Sequence, residues 1–357
     1  MTTLEARIAA AFVAWTPKLE CEILGVQTPI EIATAIEAFC VEHLGSAVAD
    51  AEFFWSSVGS VAGLHLVDGR RVVVKLFRPG TSSDALQAGL AVQAALAASG
   101  FPCPIPLLGP TPVGRGLAIV ESLLDSGMRA DAHEPAVRRA MTATLAELVA
   151  RATALAPATG IADAGPPTQS LWPEPHDLRF DFTATARGAE WIDEFGRTAL
   201  DTMARAASAA VVCHCDWRIQ NLRFVDHAVS AIFDWDSLRR GSEAGMVGMQ
   251  AHQFTSDYSR ANWKQLPTLE EALRFIQEYE HARGRPFTPA EQREARAGLA
   301  YAMAYAARCE HSDSLTNFGT TPVSAVSTHP VPDDSARAFL RRHGAELEMF
   351  DASSSCA

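Results

Sequence analysis

His214, Asp216 and Asn221 stand in the order H-x-D-x-x-x-x-N, and a second aspartate, Asp234, follows within residues 211–236. Two carboxylates and an amide in one short segment suit phosphoryl transfer. A hydroxyl that attacks a γ-phosphate must lose its proton, and Asp216 can accept it. Mg²⁺ takes oxygen ligands in a tight octahedron. Asn221 offers it a neutral oxygen and Asp234 a charged one. The elements that must bring these groups together surround them. Residues 222–225 and 229–233 alternate in polarity as short strands do, with a polar break at Asp226–His227. A hairpin there returns the chain from Asn221 to Asp234. Any one of these residues alone would read as a turn or cap residue; the joint spacing selects the chemistry.

Order and spacing match the protein kinase template, with a loop Asp as base, an Asn on the metal and an Asp after the next hairpin. The stretch resembles the catalytic segment of the aminoglycoside phosphotransferase and choline kinase-like family, a branch of the protein kinase-like fold. The resemblance implies Asp216 as catalytic base and Asn221 and Asp234 as metal ligands. Cys215 stands where a regulated protein kinase has the Arg that grips a phosphorylated activation loop. Trp235–Asp236 replaces the Phe-Gly after the metal Asp, and no Ala-Pro-Glu follows. Both departures favour a small-molecule acceptor over a protein. Arg218 falls where the family often carries a His and Ser/Thr kinases a Lys. Two placements fit it: facing the transferring phosphoryl as a fixed positive charge, or turned to solvent or to a carboxylate such as Asp226.

The nucleotide half is expected upstream. Residues 53–58, 61–67 and 71–77 read as strands, with Asp68-Gly69 as a hairpin turn. The first loop carries Ser57, Gly59 and Ser60, which by resemblance cover the nucleotide phosphates. Lys75 sits in the apolar run Val-Val-Val-Lys-Leu-Phe, costly to bury unless paired. The resemblance gives it the α- and β-phosphates; an outward-facing Lys on an edge strand is the plainer reading. The helix of residues 84–98 should carry the Glu that pairs with this Lys, but it holds none, only Gln87 and Gln93. A Gln in its place, Glu52, Glu121, or no partner at all remain open. Gly100-Phe101-Pro102-Cys103-Pro104 resembles the family's G-x-P-x-P link. The apolar run at residues 117–123 is by resemblance the hinge between lobes, whose backbone near Glu121 and Leu123 would hydrogen-bond the purine.

The remaining chain reads as mostly helical. Thr28-Pro29-Ile30-Glu31 opens a helix with a capping box, and residues 1–48 form a helical extension. Helices follow at residues 135–155, 190–209, from Thr268 to about 283, and from Thr288 to about 311, with a last one at 333–347. Residues 156–180 and 319–332, rich in Pro or Gly, read as loops, and 351–357 as a polar tail. Tyr301, Tyr305 and Arg308 share one helix face; the core of a helical lobe is the favoured reading over an acceptor-pocket wall.

Composition bounds the function. A length of 357 residues suits two domains, and 48% hydrophobic with 20% charged residues describes a soluble globular chain. The net charge of −12 argues against a nucleic-acid binder and would tolerate a cationic substrate. The 7 cysteines are scattered with no C-x-x-C, which suits a reducing cytosol. Cys213 and Cys215 flank His214 too tightly for a usual zinc pair. Charged residues inside the N-terminal apolar run exclude a signal peptide or a membrane span.

The implied architecture is α+β, a bilobal protein kinase-like fold: extension 1–48, a β-rich N-lobe with one helix at 49–123, and a helical C-lobe at 124–357. ATP or GTP with Mg²⁺ is expected between the lobes, and a hydroxyl of a small molecule (an antibiotic, a choline-like alcohol or a sugar) as acceptor. The missing helix Glu motivates an alternative from another class, a catalytically silent kinase-like nucleotide-binding protein.

Overall fold

Short apolar runs broken by tight turns fold back on themselves, and the first third of the chain does so repeatedly. The computed structural model describes residues 2–12, 17–155, 160–164, 170–177, 179–205, 209–260, 262–316 and 335–348. The expected loop at 319–332 and tail at 351–357 lie outside them. The described residues fall into two compact units, one within Met1–Asp125, Pro157–Gly160 and Thr320–Val323 and the other within Ser126–Ala156, Ile161–Gly319 and Ser324–Ala357.

The first unit opens with three helices, α1 (Thr3–Phe12), α2 (Lys18–Leu24) and α3 (Pro29–Phe39). The capping box on α3 forms: Thr28 Oγ1 accepts from the Glu31 N–H, and Glu31 accepts from the Thr28 N–H at 3.1 Å. Then come β1 (Val48–Ser56), β2 (Ser60–Leu66), β3 (Arg71–Phe77), α4 (Ser83–Ala98), β4 (Pro106–Val113) and β5 (Gly116–Ser122). The strands form one antiparallel sheet in the order β1-β2-β3-β5-β4. Gly69, with φ 88°, makes the expected turn between β2 and β3. β4 is a strand that residue preferences conceal, because its sequence PLLGPTPV is rich in Pro and Gly. It is tolerated at the sheet edge, where a residue without an N–H loses no ladder bond.

Strand alternation sorts β3 into two faces. Val72, Val74 and Leu76 join Leu64, Val120, Leu4, Ile8, Ile23, Ile32 and Ile36 in one core. Residues 1–48 therefore share their hydrophobic core with the sheet. Lys75 points the other way, to the face where Ile119 packs with Leu86 and Leu90 of α4. β3 is central, so Lys75 is not an edge residue, and it is only 6% exposed.

The second unit contains α5 (Pro135–Leu155), α6 (Glu190–Ala204), β6 (Ala210–His214), β7 (Leu222–Val225), β8 (Ala228–Ile232), β9 (Leu238–Ser242), α7 (Glu243–Ala251), α8 (Leu269–Ala282), α9 (Pro289–Thr316) and α10 (Ala336–Glu348). The hairpin β7–β8 turns through Asp226 and His227, both at positive φ (47° and 63°), as a two-residue hairpin turn demands. β9 pairs with β6, a strand that the arginines of Leu-Arg-Arg-Gly-Ser disguised. α7 and α9 meet backbone to backbone: a Cβ added at Gly248 would stand 1.9 Å from the Ala295 carbonyl oxygen. Tyr301 and Arg308 of α9 are core residues. Tyr301 donates to the Leu171 carbonyl at 2.8 Å, and Arg308, 1% exposed, pairs with Asp193 at 3.4 Å. No single described helix is long and apolar enough to cross a membrane.

Candidate active site

His214 ends β6 and is fully buried, its ring edge-on to Trp217 and Trp235 at 5.7 and 5.9 Å. Its Nε2 lies 2.9 Å from the Phe233 carbonyl, which can only accept, so the proton sits there. Nδ1 is then the acceptor, taking the Asp216 N–H at 3.3 Å and lying 3.0 Å from the Ser237 hydroxyl. One neutral imidazole thus ties the loop that carries Asp216 to the end of the hairpin that carries Asp234.

Asp216, Arg218 and Asn221 are brought into one cluster. Asn221 Nδ2 donates to Asp216 Oδ2 at 2.8 Å and to the Asp216 carbonyl at 2.9 Å. This commits the amide nitrogen to Asp216 and leaves the amide oxygen as the group that can accept or ligate. Arg218 Nη2 lies 3.0 Å from Asp216 Oδ2, with the guanidinium 5.3 Å from the Tyr258 ring centroid. Arg218 therefore turns neither to Asp226 nor out to solvent; its carboxylate is that of Asp216. Burial opposes its charge, but Asp216, Tyr258, Asp234 and Asp257 outweigh that and hold its pKa above the ordinary arginine value.

Asp234 follows β8 in the left-handed region, with φ 70° and ψ 47°. Among non-glycine residues Asp and Asn enter this region most readily. The preceding Phe233 N–H donates to the Asn221 carbonyl at 2.9 Å, so the two ends of the hairpin stay together. The segment after α7 buttresses the loop. Ile219 N–H donates to the Phe254 carbonyl at 2.9 Å, and the Tyr258 N–H to Gln220 Oε1 at 3.2 Å. Trp217 N–H is taken by Gln250 Oε1 at 3.0 Å. These supports, with Ser237 and Tyr258, escape sequence reasoning because no spacing links them to the loop. Cys213 and Cys215 are free thiols, and burial pushes the Cys215 pKa up to about 12. A thiol held protonated is a poor metal ligand.

The first unit holds the second half of the predicted set. Lys75 Nζ lies 3.4 Å from Glu121 Oε1, with both side chains buried. Glu121 is in turn held by Gln93 Nε2 of α4, which donates to Glu121 Oε2 at 3.1 Å and to the Pro104 carbonyl at 2.9 Å. The acid that faces Lys75 therefore comes from β5, and the helix contributes a glutamine behind it. Glu52 is occupied elsewhere, 3.1 Å from both Arg71 and His65.

Two residues of the expected nucleotide set have partners within the protein. The Leu123 N–H donates to the Arg71 carbonyl at 3.0 Å, because the pairing of β3 with β5 runs on past Ser122. Ser60 is fully buried, and its hydroxyl donates to Glu20 Oε1 at 2.6 Å rather than reaching the loop surface. Ser57 is exposed and Gly59 half-buried, joined by a Ser57 N–H bond to the Gly59 carbonyl at 3.0 Å.

The structure of amicoumacin kinase hAmiN in complex with AMP-PNP, Ca²⁺ and Ami is similar, with TM-score 0.54 and 12% identity, over 90% of this chain and 96% of that one. A thermostable mutant of aminoglycoside phosphotransferase APH(4)-Ia, in a ternary complex with AMP-PNP and hygromycin B, gives TM-score 0.51 and 16% identity over 90% of this chain and 100% of that one. At such identities the likeness is one of fold, the kinase-like arrangement of an antiparallel sheet followed by a helical part. No curated protein sequence matches the chain. The profile of the Phosphotransferase enzyme family (APH) matches residues 64–244, just over half of the sequence, from β2 through the β7–β8 hairpin to the start of α7. The chain belongs to the phosphotransferase enzyme family.

Proposed function

We propose that this phosphotransferase is a Mg²⁺-dependent small-molecule kinase that moves the γ-phosphate of ATP or GTP to a hydroxyl of its acceptor. The observation that carries the reading is the Asp216 cluster: a carboxylate held by Asn221 at 2.8 Å and Arg218 at 3.0 Å, on a loop anchored by His214. Asp216 takes the proton of the acceptor hydroxyl. Asn221 and Asp234 fit a Mg²⁺ ion, because the amide nitrogen of Asn221 is already committed and its oxygen, with a carboxylate, makes an all-oxygen donor pair. Mg²⁺ commonly takes one or two such protein ligands and completes its shell with phosphates and water. When bound, it would offset the negative charge of the nucleotide phosphates. The AMP-PNP in both structural neighbours, the hygromycin B in one and the Ami in the other support a nucleoside triphosphate donor and an antibiotic-like acceptor.

In this reading Lys75 contacts the α- and β-phosphates and Glu121 holds it in place. The alternative of a catalytically silent binder loses its motive, because the acidic partner missing from the helix is present on β5. Glu121→Gln keeps the shape and removes the charge facing Lys75. It is expected to lower kcat/KM for the nucleotide by roughly tenfold, about 1.4 kcal/mol. Steady-state kinetics with varied ATP reads this directly; an unchanged value would mean that the pair is structural.

Arg218 stands beside the base with its charge enforced by surrounding carboxylates. We propose that it also faces the transferring phosphoryl, whose equatorial oxygens carry charge in a loose transition state. Arg218→Ala is then expected to lower turnover by roughly a hundredfold while nucleotide KM changes much less. A turnover loss under about threefold at saturating acceptor would remove the catalytic role.

The function itself is tested by mixing the chain with Mg·ATP or Mg·GTP and a panel of aminoglycosides, macrolides, choline-like alcohols and sugars, then following nucleoside diphosphate release and phosphorylated product. Transfer to at least one hydroxyl compound is expected. A raised melting temperature with Mg·ATP, but no transfer to any panel member, would restore the silent-binder reading.

A further inference from the structure

The nucleotide half contains a fully buried carboxylate that takes no part in holding Lys75. Glu20 of α2 accepts from the Ser60 hydroxyl at 2.6 Å, and neither residue has exposed surface. Glu20 Oε2 is buried and makes no hydrogen bond. Placing a carboxylate there costs free energy, whereas an apolar pair of similar shape would fill the space without an orphaned oxygen. Stability therefore does not account for the pair, and position is what it supplies.

Ser60 begins β2 directly after the turn at residues 57–59. Gly59, the last residue of that turn and next to Ser60, lies against β3: a Cβ added there would stand 2.8 Å from the carbonyl oxygen of Leu76, the residue after Lys75. The turn is thus held at two points, the Gly59 backbone on the Lys75 strand and the Ser60 hydroxyl on α2. α2 is itself fixed. Its Ile23 carbonyl accepts the Arg115 N–H at 2.7 Å, the Arg115 guanidinium donates to the Cys21 carbonyl, and Leu19 and Ile23 enter the sheet core beside Leu76.

We infer that Glu20 is a positioning residue for the nucleotide: through Ser60 it sets the turn at residues 57–59 against the Lys75 strand. This makes the N-terminal helical segment a working part of nucleotide binding. The inference rests on the phosphotransferase reading, in which that turn covers the phosphates.

The test uses the full chain and a fluorescent ATP analogue with Mg²⁺. Its Kd, the acceptor KM and the melting temperature are measured for the parent, Glu20→Ala, Glu20→Gln, Ser60→Ala and the double variant Glu20→Leu/Ser60→Ala. Glu20→Ala and Ser60→Ala are each expected to weaken nucleotide binding by about tenfold, with acceptor KM within about twofold of the parent. Glu20→Gln, whose amide oxygen still accepts from Ser60, should stay within about threefold. The double variant leaves no polar group buried without a partner, so it should fold even where a single variant does not. It should still show the nucleotide defect. A nucleotide Kd within about twofold of the parent in the double variant, whatever its melting temperature, would overturn the inference. A parent chain that binds neither Mg·ATP nor Mg·GTP would instead overturn the phosphotransferase reading, and this inference with it.

Discussion

Asp216→Asn is expected to abolish phosphoryl transfer, by at least about a thousandfold or roughly 4 kcal/mol in barrier, while nucleotide affinity stays within about threefold of the parent. One carboxylate oxygen, Oδ2, meets two donors, Asn221 Nδ2 at 2.8 Å and Arg218 Nη2 at 3.0 Å. An asparagine presents an oxygen to the same donors, so the loop should keep its shape, and the anchoring bond from the residue 216 N–H to His214 is untouched. What is lost is the ability to take a proton from the acceptor hydroxyl. Single-turnover transfer and nucleotide titration on the same preparation separate the two effects. Transfer within about tenfold of the parent, roughly 1.4 kcal/mol, would exclude Asp216 as the essential base.

The second large effect is expected at Asp234. Asp234→Ala should lower turnover by at least about a hundredfold and weaken Mg·ATP far more than metal-free ATP. Titrating the variant with Mg·ATP, and with ATP in the presence of a chelator, gives the two affinities. If both change equally, Asp234 is not a metal ligand. Backbone strain must be kept apart from ligand loss, since position 234 has φ 70° and ψ 47°. An alanine there carries a penalty on the order of 1–2 kcal/mol that an asparagine largely avoids. Asp234→Asn is the matched control: it keeps an oxygen and the backbone preference but removes the charge. A Mg²⁺-specific defect in both variants assigns the effect to the carboxylate; a defect in Asp234→Ala alone that weakens Mg·ATP and metal-free ATP alike assigns it to the backbone.

The hairpin that carries Asn221 and Asp234 at its ends was legible because its signal is local. His214, at the end of β6, Asp216 and Asn221 lie close together in the chain, and the two-residue turn at Asp226–His227 returns the chain to Asp234 with little freedom in register. The capping boxes at Thr28 and Thr268 are legible for the same reason, since each is closed within four residues. β4 and β9 were not, because Pro, Gly and Arg are poor strand residues by preference. Only edge placement for β4 and pairing with β6 for β9 make them strands.

Partner choice was likewise beyond the sequence. Lys75 had two candidate carboxylates on paper, Glu52 and Glu121. The register that sets Val73 opposite Glu121 and Lys75 opposite Ile119 brings one of them to it, while Glu52 is drawn to Arg71 and His65. Ser60 was read with the phosphate loop from its neighbours in the chain, yet its hydroxyl belongs to Glu20, forty residues away. Arg218 could have met Asp226 or water; the fold of the loop gives it Asp216.

Residue type and spacing alone determined the phosphotransferase family, the segment and hairpin that carry Asp216, Asn221 and Asp234, the strand that holds Lys75 and most of the helices. Each of these depends on residue type and spacing within a short segment, where the backbone leaves few alternatives. The tertiary structure alone decided which acid faces Lys75, what Arg218 touches, and that the N-terminal helices share the core of the sheet. Those outcomes depend on which strands lie side by side and which side chains are buried together. They follow from the packing of surfaces far apart in the chain, and no local pattern encodes them.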